Sequence, residues 1–239
     1  LAQETSTPLP FTGSANQIPG QTFSPQADTF TGRFSYGIPI VVPPARQNSQ
    51  PNIVLGYSSS GGNSWCGAGW NFDMSFIQRD LRKGVPVAWG TTSPLPSYDD
   101  SKGFIASFAA GGGRLVNTSG NEYRAVVDNG SFLKFVYVGP HWEVTDKSGT
   151  KYYFGQSAAG RLENPNFPAG VGSSTFRWSL ERVVDVNGNQ TLLTYTHDRN
   201  QIYLSQVAYN GNINTPVLPT THTADFILED RPDPSISLQ

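Results

Sequence analysis

From Phe34 to Ile40 large apolar residues alternate with Ser35, Gly37 and Pro39, and shortly afterwards Pro43-Pro44 removes two consecutive amide donors from any hydrogen-bonded ladder. A strand of period two has to end before those prolines. Ile53, Leu55 and Tyr57 alternate again after the polar connection from Arg46 to Gln50, so the two runs are expected to return on each other as antiparallel neighbours. Five glycines then fall between Gly56 and Gly69, a backbone free to take positive φ, while Trp65 and Trp70 supply large apolar area. The expectation is a packed β corner anchored by tryptophan, favoured over a sugar- or nucleotide-binding loop because no phosphate signature is present. Trp70 to Leu81 reads as one long strand with Trp70, Phe72, Met74 and Phe76 on one face.

The same pattern runs on. Charged residues are only 14% of the chain and aromatics 12%, with 25 Gly and 18 Pro, a profile of many short strands joined by punctuated turns and not of helices. A short strand is expected over 85–89, a hairpin from 104–108 and 115–116, and a meander from 123–127, 132–138, 142–145 and 152–154. Asp128-Asn129-Gly130, Gly139-Pro140 and Asp146-Lys147-Ser148-Gly149 supply the turns of the meander. Residues 155–174 are a loop long enough to mark a subdomain break. Beyond it, 176–184 and 191–196 flank Asn187-Gly188, the strongest short hairpin signal, and 203–209 and 224–228 read as further strands. Residues 1–31 are too sparse in apolar positions for periodicity and read as an extended lead-in to a β domain over 32–239. The fold class is all-β, with antiparallel meander or sandwich-like curved sheets and long loops. A compact fold of 239 residues buries roughly 70% of the surface its unfolded chain exposes, enough for a sizeable core.

The search for chemistry is mostly exclusion. A formal net charge of −2 leaves no basic footprint for nucleic acid or an anionic membrane surface. No apolar run approaches the roughly 18 residues of a membrane span, and Leu1-Ala2-Gln3-Glu4 lacks the charged and apolar regions of a signal peptide. Cys66 is the only cysteine, so no internal disulfide forms, and it reads as a small buried hydrophobe. His141, His197 and His222 are far apart and show no metal-ligand spacing. Asp185 to Asn189 has the glycine of a calcium loop at the wrong place and Thr196 where a bidentate Glu is required, so a hairpin turn explains it better. Gly56 to Gly61 is one residue too long for a nucleophile elbow. No metal, cofactor or catalytic residue is assigned.

The motif series Tyr36-Gly-Ile-Pro39-Ile-Val-Val-Pro43-Pro44-Ala-Arg46, then Pro51 with Ile53 to Ser58, then Gly62-Asn63, Gly67-Ala-Gly69-Trp70 and Ile77-Gln-Arg79 resembles the amino-terminal domain of the SpvB and Tc-toxin B-component family. Weaker echoes continue to Arg231-Pro232-Asp233. Ala45 and Ser64 stand where that family carries glycines. Asp146 to Tyr153 and Asp185 to Tyr195, each an Asp-x-x-Gly turn leading into a Tyr-bearing strand, resemble the tyrosine/aspartate repeats of Rhs proteins, and Gly188 and Asn189 belong to the second. The resemblance implies a secreted or cell-surface, noncatalytic module that helps form or close a β shell around a carboxyl-terminal cargo. Its implied partners are the rest of a longer Rhs-like chain, another toxin-complex subunit, or a host surface. Family members carry an ADP-ribosyltransferase in a separate carboxyl-terminal domain; the Glu-x-Glu of such a site is absent from this sequence. The alternative is a glycan- or protein-binding surface module, favoured if Trp89, Tyr98, Trp142 or Trp178 are exposed and coplanar.

Overall fold

A computed structural model describes residues 26–28, 30–82, 87–88, 97–108, 111–164, 174–198, 201–214 and 216–229. The first strands are β1 (Gln26–Ala27), β2 (Phe34–Ile40) and β3 (Ile53–Ser58), followed by the corner strands β4 (Asn63–Ser64) and β5 (Gly67–Ala68) and then β6 (Trp70–Phe72). They form an antiparallel sheet in the order β1-β2-β3-β6, with β4 and β5 paired beside it. Tyr36 opposes Tyr57, Ile38 opposes Leu55 and Ile40 opposes Ile53, while Tyr57 opposes Trp70 and Leu55 opposes Phe72. Directly opposed residues share a face, so the whole apolar alternation lies on one side of this sheet. The wide hairpin read from the sequence is present.

The single strand expected from Trp70 to Leu81 is not. β6 ends at Phe72, residues 73–75 are irregular, and β7 (Phe76–Arg79) belongs to another sheet. The inward parity changes at the break, because Phe72 is buried on β6 whereas Ile77 and Arg79 are buried on β7. The sequence alternation continues through a bend in which the chain leaves one sheet for the next. β8 (Val87–Ala88) pairs with β9 (Ser97–Tyr98); Val85 and Trp89 of the expected 85–89 strand lie outside the described residues.

The larger sheet begins with β7 and continues through β10 (Phe104–Ser107), β11 (Gly113–Ser119), β12 (Glu122–Ala125), β13 (Lys134–Val138), β14 (His141–Thr145) and β15 (Lys151–Phe154). The short β16 (Arg161–Glu163) precedes β17 (Thr175–Val184), which pairs along its first half with β7 and along its second with β15. That double pairing closes eight strands into a barrel. Two strands that flank the 155–174 segment, β15 and β17, are direct neighbours. Beyond β17 the sheet continues as a wing of β18 (Asn189–Asp198), β19 (Gln201–Asn212) and β20 (His222–Asp225). β19 runs past the expected end at Tyr209, and the last strand falls two residues before the expected 224–228.

The barrel is filled. Trp142 and Trp178 are 0% exposed, Phe104, Phe135 and Phe154 are buried beside them, and Phe104 meets Trp142 edge-on at 4.9 Å. Edge-to-face aromatic pairs of this kind add stabilisation beyond the area they bury. Outside the barrel the four-stranded sheet covers the wing: Trp65 packs 5.9 Å from Tyr203, Phe72 packs 5.2 Å from Phe226, and Ile53, Leu193, Leu204 and Val207 join the same buried cluster. Among the described residues no helix is long and apolar enough to cross a membrane. The protein is all-β.

Candidate functional site: a polar joint between two sheets

The prolines that stop β2 hand the chain to a single 3-10 turn, Arg46–Asn48, and this turn lands on the end of β19. The Arg46 backbone N–H donates to Asn210 Oδ1 at 3.1 Å, and Arg46 Nη1 donates to the Asn210 carbonyl at 3.1 Å. Tyr209 Oη donates to the Pro43 carbonyl at 2.9 Å. Next to them Asn189 Nδ2 donates to Gln47 Oε1 at 3.0 Å and to Asp185 Oδ2 at 2.8 Å, while Asn212 Nδ2 donates to Asn189 Oδ1 at 3.0 Å. Gln47, Asn48 and Asn210 all hold positive φ, at 52°, 57° and 67°. Such conformations are sparsely populated for residues with a side chain and persist where the surroundings over-determine them. At Gln47 and Asn210 the surroundings are the hydrogen bonds across the joint.

The motif residues Pro43, Pro44, Arg46, Gly188 and Asn189 come from two stretches more than a hundred residues apart, and the fold brings them to this one joint. Pro44 forms the approach to the turn, and Gly188 lies in the turn between β17 and β18. That turn is held by Asp185, whose Oδ1 accepts the backbone N–H of Asn187 at 2.8 Å and of Asn189 at 2.9 Å. Gly188 takes φ 81° and donates its N–H to the Asp185 carbonyl at 3.0 Å, the geometry of a three-residue hairpin loop with a left-handed residue before the bulge. Asp146 repeats the arrangement between β14 and β15: its Oδ1 accepts from Ser148 N at 2.8 Å and Thr150 N at 3.0 Å, with Gly149 at φ 87°. The two turns lie side by side, so that a Cβ on Gly149 would fall 2.9 Å from Val186 Cγ1. The shared Asp-x-x-Gly pattern is thus one turn geometry used twice.

The other motif residues occupy a second region. At the corner Gly69 N donates to the Gly62 carbonyl at 3.0 Å, Asn63 opposes Ala68, and Gly67 opposes Ser64. Ser64 Oγ accepts from Cys66 N at 3.1 Å and donates to the Trp70 carbonyl. Burial raises the Cys66 thiol pKa, which suits an inert cysteine. Trp70 is only half-buried, so the corner is not anchored by it as expected; the fully buried tryptophans are Trp142 and Trp178. Trp70 instead meets Tyr57 at 5.1 Å with the rings tilted by 53°, and lines, with Phe34, Tyr36 and Tyr57, an open apolar groove of about 390 Å³. Pro39 sits on the same strand as Tyr36, toward its far end.

Arg79 points into the barrel. Its guanidinium is buried against Tyr98, Phe104 and Trp178 at 4.8, 5.5 and 5.5 Å, donates from Nε to the Thr175 carbonyl at 2.8 Å, and pairs through Nη1 with Asp100. A buried cation is tolerated when its donors are satisfied in this way. Of the aromatics that would make a binding platform, Tyr98, Trp142 and Trp178 are buried, and Trp89 lies outside the described residues. The histidines do not converge, since His141 lies beside Glu143, His197 bonds to the Ala159 carbonyl, and His222 packs on Tyr209. Among the described residues no group of three or more His, Cys, Asp or Glu side chains is arranged to hold a metal. Sequence reasoning missed Asn210 and Gln47; the signal available was Asn210-Gly211, an Asn-Gly pair embedded in an apolar strand.

The family model described as Salmonella virulence plasmid 65kDa B protein, SpvB, matches residues 28–138 and 137–218. The mono(ADP-ribosyl)transferase SpvB of Salmonella choleraesuis (strain SC-B67) is 26% identical over 184 residues, a match covering 70% of this chain and 29% of that protein. The chain therefore spans under a third of that relative's length. The solved N-terminal domain of effector protein SpvB from Salmonella typhimurium strain LT2 aligns with a TM-score of 0.54 at 21% identity, over 73% of this chain and 63% of that one. A crystal structure of TcdB2-TccC3 aligns with a TM-score of 0.61 at 21% identity, over 83% of this chain and 11% of that one. These alignments show a shared fold. With the family match running from 28 to 218, the chain belongs to the SpvB family.

Proposed function

We propose that this chain is a noncatalytic structural module of a larger secreted, toxin-complex-like protein, helping to form or close a β shell around a carboxyl-terminal cargo. The observation that carries this reading is where the polar residues go: Arg46, Gln47, Asn189, Asn210 and Asn212 join one sheet to another, and Arg79 braces a barrel already full of aromatic side chains. A filled, cross-braced β body is suited to be a wall. Its size relative to TcdB2-TccC3, where it matches 11% of the chain, supports a part within a larger assembly. The Rhs-like turns at Asp146 and Asp185 support continuation into further strands of the same kind.

The transferase named for its SpvB relative is not assigned to this segment, because no Glu-x-Glu occurs in its 239 residues. Limited proteolysis of the longer protein with and without this module tests the shell: removal is expected to expose the cargo to cleavage, and equal protection would refute it. Labelled NAD incubated with the purified chain and a cell extract is expected to label no protein. Labelling abolished by one Glu substitution would refute the noncatalytic reading.

A further inference from the structure

The outer wall of the barrel carries apolar side chains among cations. Leu115 is buried and opposes Ala125, so the alternation turns Arg114 and Val116 of β11 outward, together with Arg124 of β12, which opposes Val116. Val126, just past β12, donates its backbone N–H to the Arg114 carbonyl at 2.7 Å and is exposed, as Val116 is. Two valines and two arginines thus alternate in a grid across the two strands.

The loop from β12 to β13 adds a phenylalanine in a costly conformation. Phe132 is 63% exposed and holds φ 53°, where a side chain is penalised and glycine is not. It is fixed from both sides. Asp128 Oδ1 accepts the backbone N–H of Gly130, Ser131 and Phe132 at 2.9, 2.9 and 3.2 Å, and Arg124 Nη1 donates to the Phe132 and Leu133 carbonyls at 3.4 and 3.2 Å. From the next turn Lys147 Nζ donates to the Gly130 carbonyl at 3.3 Å. The ring gains little burial in return, so folding does not account for a large apolar side chain held at this φ; a partner that covers it does.

Charge identifies the occupant. Among the described residues Arg114, Arg124 and Lys147 form no ion pair. The carboxylates around them are engaged elsewhere: Asp128 and Asp146 within their own turns, Glu122 with Lys134, and Asp80 with Arg82. The surface therefore offers apolar side chains among cations whose charge is unmatched at the ion-pair level.

The geometry points to a docking surface for a separate polypeptide that presents large apolar side chains flanked by carboxylates, with Phe132 as its anchor and Arg114, Arg124 and Lys147 meeting the acids. A second copy of this chain fits less well, because a two-fold contact through the patch sets like cations against each other. An anionic membrane also fits less well: the arginines lie within the apolar grid and would enter the hydrocarbon with it. This surface lies on the outside of the barrel wall and is independent of any cargo enclosed elsewhere.

The test is fluorescence anisotropy of the full chain with a short labelled peptide that alternates Glu with Leu and Phe, beside the same peptide with Lys in place of Glu. The acidic peptide is expected to bind at least tenfold tighter than the basic one, and to weaken as salt rises from about 50 to about 500 mM. Arg114→Glu and Phe132→Gly should each weaken it at least tenfold, while Val186→Ser, at an exposed valine on the turn between β17 and β18, should leave it unchanged. Phe132→Gly is expected not to lower the melting temperature, because glycine takes φ 53° without steric cost; lost binding in a variant that melts no earlier separates a docking role from a structural one. No binding of the acidic peptide, equal binding of the two peptides, or equal binding by all variants would overturn the assignment. So would self-association of the chain abolished by Phe132→Gly, which would favour a second copy, or cosedimentation with phosphatidylserine vesicles abolished by it, which would favour a membrane.

Discussion

Arg46 and Asn210, 164 positions apart, hold each other's main chain: the asparagine side chain accepts from the arginine backbone N–H, and the arginine side chain donates to the asparagine carbonyl. Each side chain fixes the backbone from which the other acts. Asn210 also sits at φ 67°, so this reciprocal pair ties the four-stranded sheet to the wing at a backbone position with left-handed geometry.

Asn210→Ala is expected to destabilise the fold by about 1–2 kcal/mol, from the lost hydrogen bonds and the cost of Ala at positive φ. Arg46→Ala should cost about 1 kcal/mol. In a double-mutant cycle from urea unfolding the two should couple by about 0.5–1.5 kcal/mol, as groups in one network do. Strict additivity would mean that the pair does not interlock.

Trp178→Ala is expected to cost about 3–5 kcal/mol, the range for emptying the site of a fully buried large aromatic. Its indole also donates to the Pro140 carbonyl at 2.8 Å, so the substitution leaves an acceptor without its donor. Trp70→Ala removes a half-buried ring from the groove and should cost clearly less. Equal losses in guanidinium unfolding would place Trp70 in the core after all.

Gly188→Val and Gly149→Val should both lower the melting temperature, since a β-branched residue is penalised at φ 81° and 87°. Steric conflict adds to this, as a Cβ at Gly188 would fall 2.6 Å from Asn214 Nδ2. Calorimetry showing an unchanged transition for either variant would contradict the turn geometry.

Two aspartates should respond to pH in opposite senses. Hydrogen bonding from Arg82 holds the Asp80 carboxyl well below its ordinary 3.8, at about 2. The stabilisation it gives is fully present above the unfolded value and is lost as pH falls through about 2, so Asp80→Asn should flatten the acid limb of the stability curve between about pH 4 and 2. Asp73, in the bend between β6 and β7, is raised above 3.8 by burial. Its ionisation is disfavoured in the folded chain, and stability falls as pH rises from the unfolded value through the raised one. Asp73→Asn should therefore stabilise the protein at pH 7 and leave it unchanged at pH 3; a loss at pH 7 would reveal a partner for the carboxylate.

The local elements follow from the order of residues alone. Alternation at 34–40 and 53–57, the Pro43-Pro44 stop and the Asp-x-x-Gly turns depend on side-chain parity, missing donors and left-handed φ, which act within a few residues. The turns at Asp146 and Asp185 were legible for this reason, and so was the all-β class. Tertiary structure decided which strands share a sheet. The alternation from Trp70 to Phe76 continues through a bend that only the meeting of two sheets imposes, and the burial of Trp178 instead of Trp70 follows from barrel closure by β17. The joint was half visible: Pro43, Arg46 and Asn189 stood out as motif residues, but their convergence on Asn210 depends on a pairing across 164 positions. Periodicity reports which face a residue takes within its own strand; it carries no information about which distant strand will cover that face, because that choice is made by packing.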